Sequence, residues 1–190
     1  MTSPIAAFSQ ESVMEPHCIG NRVQQNARKN GSCLTFCFHY AKAVMNGRHR
    51  SERILDELRA KAANIIQEQT EASIDAIFSG QTYMRKYLHK HGLDFDDITS
   101  DENLSEHSIA PHTMALHSFY HMRADEHGDV VRGAHAILHM RYADETVRVF
   151  EPNFGVYLIP VNNWRAWTRN QAALYGTTTG HIFLDLHKRT

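Results

Sequence analysis

The chain changes texture once, and that change constrains its fold more than any other feature. As far as residue 92 its apolar residues recur at helical spacing; from residue 113 onward they fall in short β-branched and aromatic runs. Residues 32–46 read as a helix, with Leu34, Cys37, Phe38, Ala41, Val44 and Met45 near a 3.6-residue period. Ser32 suits its N-cap and Asn46-Gly47 its C-terminus. The same pattern predicts helices over 51–69 and 72–90, the second ending at His91-Gly92. Residues 93–112 are acidic and polar and read as a long connection. Strands are expected at 113–123, 133–142, 146–151 and 155–160, then a short helix at 164–174 and a last strand at 181–186. Helices first and strands later predict an α+β domain, an antiparallel sheet with helices packed on it.

At 190 residues the chain suits one domain with a sizeable core. Ser3, Pro4, Ser9, Gln10 and Ser12 give 1–25 the composition of a flexible leader, leaving 26–190 as the domain. A net charge of −1 supplies no field to recruit nucleic acid or an anionic membrane. No stretch approaches the ~20 apolar residues of a membrane span. The first residues lack the basic and apolar regions of a cleavable secretory signal. Cys18, Cys33 and Cys37 are too few for a disulfide scaffold and read as reduced thiols. Histidine is abundant, at 14, with His112, His117 and His121 close together, as are His89 and His91, but no two-plus-two Cys/His spacing is present. No metal or organic cofactor is expected. Trp164 and Trp167, at helical spacing, read as core.

The stretch Asn30-Gly31-Ser32-Cys33-Leu34-Thr35-Phe36-Cys37 runs from a polar approach into the first predicted helix. A thiol is a nucleophile only as thiolate, and the positive end of a helix favours that form. Cys33 occupies the first turn; Cys37 lies one turn deeper, toward the core. A proton acceptor is still needed. Gly133–Pro160 reads as paired strands, and a three-residue loop at 142–144 would set Arg141 opposite Glu145 and His135 opposite Glu151. Facing antiparallel residues share one side of a sheet, so a carboxylate would lie beside an imidazole and hold its tautomer. Each residue alone also has a bland reading: a buried thiol, a sheet histidine, a strand-end charge.

Together, "GSC" entering an apolar helix, "GAHAI" on a strand and "VFEPNFG" (Val149–Gly155) resemble the YopT/AvrPphB family of papain-like bacterial effector proteases. The resemblance spans about residues 26–186, and Pro152, Asn153 and Gly155 match its last block. It implies a papain-like α+β fold whose nucleophile helix packs on the C-terminal sheet. It implies Cys33 as nucleophile, His135 as general base and acid, and Glu151 as the orienting acid, where the family usually has Asp. Asn153 is an alternative orienter. For the oxyanion hole, besides the Cys33 N–H, Asn26 comes first and Gln25 second, with Asn30 also near. The family further implies a protein substrate and a secreted effector or toxin acting inside another cell, with a cognate immunity protein or chaperone as a further partner. Three rival readings remain: acyl transfer on the same residues (deamidase, transglutaminase or peptidoglycan amidase), a non-catalytic binding module, and, most distantly, a metal-binding protein built on the histidine cluster.

Overall fold

A computed structural model describes residues 2–17, 32–101, 104, 109–124, 127–142 and 145–189, those at 70–83 and 97 by their backbone alone. Helix α2 (Cys33–Met45) buries Phe36, Cys37, Tyr40, Ala41 and Val44. These positions recur at three- and four-residue steps, so one stripe of the helix faces the core. Helices α3 (Ser51–Ala60) and α4 (Ala62–Lys90) follow. They part at Lys61, whose N–H is shared between the Glu57 and Leu58 carbonyls in a tightened turn. The expected break near residue 70 is absent, and α4 runs through Gly80.

The strands are β2 (Leu93–Ser100), β3 (Met114–Ala124), β4 (Val130–Arg141), β5 (Thr146–Glu151), β6 (Gly155–Pro160) and β7 (Thr177–Lys188), with helix α5 (Trp164–Ala173) before the last. With a short β1 (Ala6–Ala7) they form an antiparallel sheet in the order β1-β6-β5-β4-β3-β7-β2. Strand alternation sends Leu116, Ala136, Leu138, Phe150 and Leu184 to the face covered by α2, α3 and α4. It sends Ala115, Phe119, Ile137, Val149 and Phe183 to the opposite face, under Trp164 and Ala172 of α5. Both faces are covered, so the long strands read as nearly continuous apolar runs. This is the expected α+β fold, with the Cys33 helix packed on the antiparallel sheet.

Three expectations need correction. The connection at 93–112 contains β2, an edge strand paired with β7. Leu93 and Phe95 are buried, while Asp94 and Asp96 carry the polar positions. Aspartate is depleted in strands but tolerated, even protective, on an edge. The last strand starts four residues earlier than expected, at Thr177. The leader is also not free along its described part: Ala6, Phe8 and Met14 are buried in the main core. Burying a side chain such as Phe8 contributes about 1.5–3 kcal/mol, and β1 adds backbone pairing to β6.

That pairing explains the glycine of the "PNFG" block. Gly155 sits at φ +123°, and a Cβ there would lie 2.1 Å from the Ala6 carbonyl oxygen. A side chain at 155 would push β1 off the sheet. Among the described residues, no helix is long and apolar enough to cross a membrane.

Candidate active site

Cys33 is the first residue of α2 and is 7% exposed. Ser32 precedes it without a side-chain cap bond. Its N–H donates instead to Gln10 Oε1 at 3.0 Å, and its carbonyl accepts from the Phe36 N–H. The start of the helix is therefore tied to α1 (Gln10–Met14), in the segment expected to be a leader. A cleft of about 440 Å³ opens here, lined by Gln10, Cys33, His121, His135, Asn153 and Tyr175 among others.

The β4–β5 register differs from the expected one by two residues. Arg141 pairs with Val147 and Leu138 with Phe150, so the predicted Arg141–Glu145 and His135–Glu151 pairs do not form. A two-residue shift preserves side-chain parity, so Glu151 still shares a face with His135. It stands on the diagonal, opposite the position of Ile137, and its side chain spans that offset. Glu151 Oε1 is hydrogen-bonded to His135 Nε2. One more carbon–carbon bond than aspartate, roughly 1.5 Å, helps it cross.

Glu151 is fully buried and takes two further hydrogen bonds. The Tyr175 hydroxyl donates to Oε1 at 2.8 Å, and the Asn153 N–H to Oε2 at 3.1 Å. Tyr175 also stacks on the His135 ring, with centroids 4.2 Å apart. The Asn153 side chain does not hold the imidazole. Its Nδ2 donates to Tyr175 Oη at 2.7 Å and its Oδ1 accepts from Gln10 Nε2 at 2.6 Å. One polar chain thus runs from the Ser32 N–H through Gln10, Asn153, Tyr175 and Glu151 to His135.

His135 and Cys33 line the same cleft and interact electrostatically. Burial by itself would lower the imidazole pKa. The interaction with Cys33, then the hydrogen bond and charge of Glu151, outweigh it and raise the pKa to about 9. The arrangement favours the protonated imidazole. Tyr175 moves the other way in function: burial first, then the Glu151 charge, push its pKa up, so it stays a protonated donor. Burial also raises Cys37 well above the usual thiol range, and its Sγ contacts the Ala136 carbonyl at 3.6 Å. Cys37 is a packing residue.

His139 lies on the same face as His135 but belongs to the core. It is fully buried and accepts a 2.9 Å hydrogen bond from Trp164 Nε1. Trp164 is core, as expected, while Trp167 is partly buried and also walls a groove beside Phe154 and Leu174. Gln25, Asn26, Asn30 and Cys18 lie outside the described residues. Sequence reasoning missed Gln10 and Tyr175. Gln10 sat in a segment read as leader, and the only mark of Tyr175 is its place before Gly176, after a helix.

An antiparallel sheet that holds a histidine beside a cysteine at the start of a packed helix defines a papain-like fold. The chain shares it with the crystal structure of the Pseudomonas avirulence protein AvrPphB, with a TM-score of 0.56, covering 91% of this chain and 98% of that one at 11% identity. At that identity the likeness is one of fold. No family model matches the sequence, and no curated protein matches it.

Proposed function

We propose that the chain is a papain-like cysteine protease with Cys33 as nucleophile, His135 as general base and acid, and Glu151 as the group that orients the imidazole. The observation that carries this reading is His135, hydrogen-bonded to a buried carboxylate in the cleft that Cys33 also lines. The Cys33 thiolate attacks a peptide carbonyl and forms a tetrahedral oxyanion, which the Cys33 N–H at the helix start stabilises. His135 gives its proton to the leaving amine as the C–N bond breaks. It then takes a proton from water, whose oxygen displaces the thioester sulfur and releases the acid. Asn26 or Gln25 supplies the second oxyanion donor. Tyr175 and Asn153 hold Glu151, and Glu151 holds His135 in one tautomer.

The fold shared with an avirulence protein supports an effector that cleaves a protein inside another cell, and a cognate chaperone or immunity protein suits such a role. Terminal proteomics of target-cell lysate, treated with wild type or Cys33→Ala, tests the reading. New protein termini that appear only with wild type support it. A one-mass-unit change at glutamine, or a transferred acyl group, would assign the same residues to deamidation or acyl transfer instead. A Cys33 that a thiol-directed papain inhibitor fails to label would point to a binding module.

A further inference from the structure

Away from the cleft, α2 and α4 are joined by a second cluster of chemistry-bearing side chains. His39 lies on α2, Glu68 on α4, and His91 caps the C-terminal end of α4. We propose that these three residues bind a divalent transition-metal ion of the zinc class, which ties the Cys33 helix to α4. The proposal does not rest on the protease reading.

The geometry comes first. His39 Nε2 is 2.7 Å and His91 Nε2 3.8 Å from the same Glu68 oxygen, Oε2. All three donor atoms lie within 4.8 Å of one another. In a tetrahedral zinc site, with metal–ligand distances of about 2.0–2.2 Å, neighbouring donors stand roughly 3.3 Å apart. The short separation must open and the longer one close by roughly half an ångström each. Those are side-chain adjustments, and they need no movement of the helices.

The cluster is also preorganised. The His91 ring is 5% exposed. It is wedged at 4.9 Å against His39, 5.2 Å against Tyr87 and 5.7 Å against Phe38. One turn before His39, Thr35 Oγ1 donates to Gln69 Oε1 at 2.8 Å and so sets the register of α2 against α4. Glu68 is 39% exposed, which gives an ion a route from solvent and leaves a coordination position for water. Lys42 and Lys90 add positive charge nearby, so charge alone would not hold a cation here. Two imidazoles and one carboxylate select zinc, cobalt or nickel over calcium and magnesium, which take oxygen ligands. His39 and His91 lie on different helices and far apart in sequence, so no spacing motif announced the site.

The test uses the full chain carrying Cys33→Ala, which removes the cleft thiol as a competing ligand. Equilibrium dialysis against zinc should show one tightly held equivalent. His39→Gln, Glu68→Gln and His91→Gln should each weaken it by at least about tenfold, a loss typical of disturbed metal sites, with circular dichroism reporting the fold. Unchanged affinity in the folded variants would overturn the site. Cobalt supplies a measurement independent of the variants: its paramagnetism should broaden the ring resonances of Tyr87 and Phe38 first. Broadening centred elsewhere, or no bound equivalent, would leave His39–Glu68 as an ion pair and sink the proposal.

Discussion

Glu151→Gln is the sharpest test of the catalytic assignment. The substitution keeps volume but removes the charge and one acceptor oxygen. The buried carboxylate serves three donors: His135 Nε2, the Tyr175 hydroxyl and the Asn153 N–H. A glutamine accepts through one oxygen only, so at least one donor faces its NH₂ group. The larger effect falls on His135, whose pKa is held at about 9 partly by Glu151. Returning the imidazole fully to its ordinary value near 6.5 would correspond to roughly 3–4 kcal/mol, of which Cys33 supplies the larger share and Glu151 the smaller. Losing the Glu151 share alone is a rate loss of about tenfold or more, and the analogous Asp→Asn change in a serine protease costs about 10⁴. The assay is the rate of iodoacetamide alkylation at Cys33 near neutral pH, read by peptide mass spectrometry, with circular dichroism as a folding control. A folded Glu151→Gln variant alkylated as fast as wild type would remove Glu151 from the mechanism. A severe loss in Asn153→Ala alongside it would pass the orienting role to Asn153.

Gln10→Ala removes the bridge between the Ser32 N–H and Asn153 and should slow Cys33 alkylation by about tenfold, in line with the ~1–3 kcal/mol of a broken buried hydrogen bond; a wild-type rate would make the bridge incidental. Cys37→Ala should spare reactivity and cost about 1–2 kcal/mol of stability through lost packing, whereas Cys33→Ala should do the reverse; denaturant titration beside labelling separates the two. His139→Ala should destabilise by about 2–4 kcal/mol, because it leaves a core cavity and orphans the Trp164 N–H; an unchanged denaturation midpoint would contradict that packing. The raised His135 pKa also makes stability depend on pH. Its contribution is complete below the unfolded value near 6.5 and is lost as pH rises through about 9. Denaturant midpoints should fall across that window in wild type, and less steeply in His135→Gln.

Periodicity, texture and parity were legible in the sequence. The period of α2 placed Cys33 in its first turn and Cys37 inside, and both assignments follow from spacing alone. Strand texture located β3 to β6 to within a few residues, because those strands are buried on both faces and rich in apolar residues. The acid beside His135 was found through an incorrect register. Side chains alternate with period two, so the two-residue error between the predicted and observed pairings left Glu151 on the correct face.

Tertiary structure decided what depended on partners distant in the chain. Gln10 meets Asn153 across 143 residues, and no local pattern encodes that contact. Residues 2–17 look like a leader because their composition is polar. They are packed because Gly155 leaves room for β1 and the core accepts Phe8 and Met14. An acidic segment became β2 because β7 offered an unpaired edge. Local propensity amounts to about a kcal/mol or less per residue. Burial of a large side chain, or a satisfied buried hydrogen bond, matches or exceeds it. Spacing therefore determined which residues could carry the chemistry, and packing decided which of them meet.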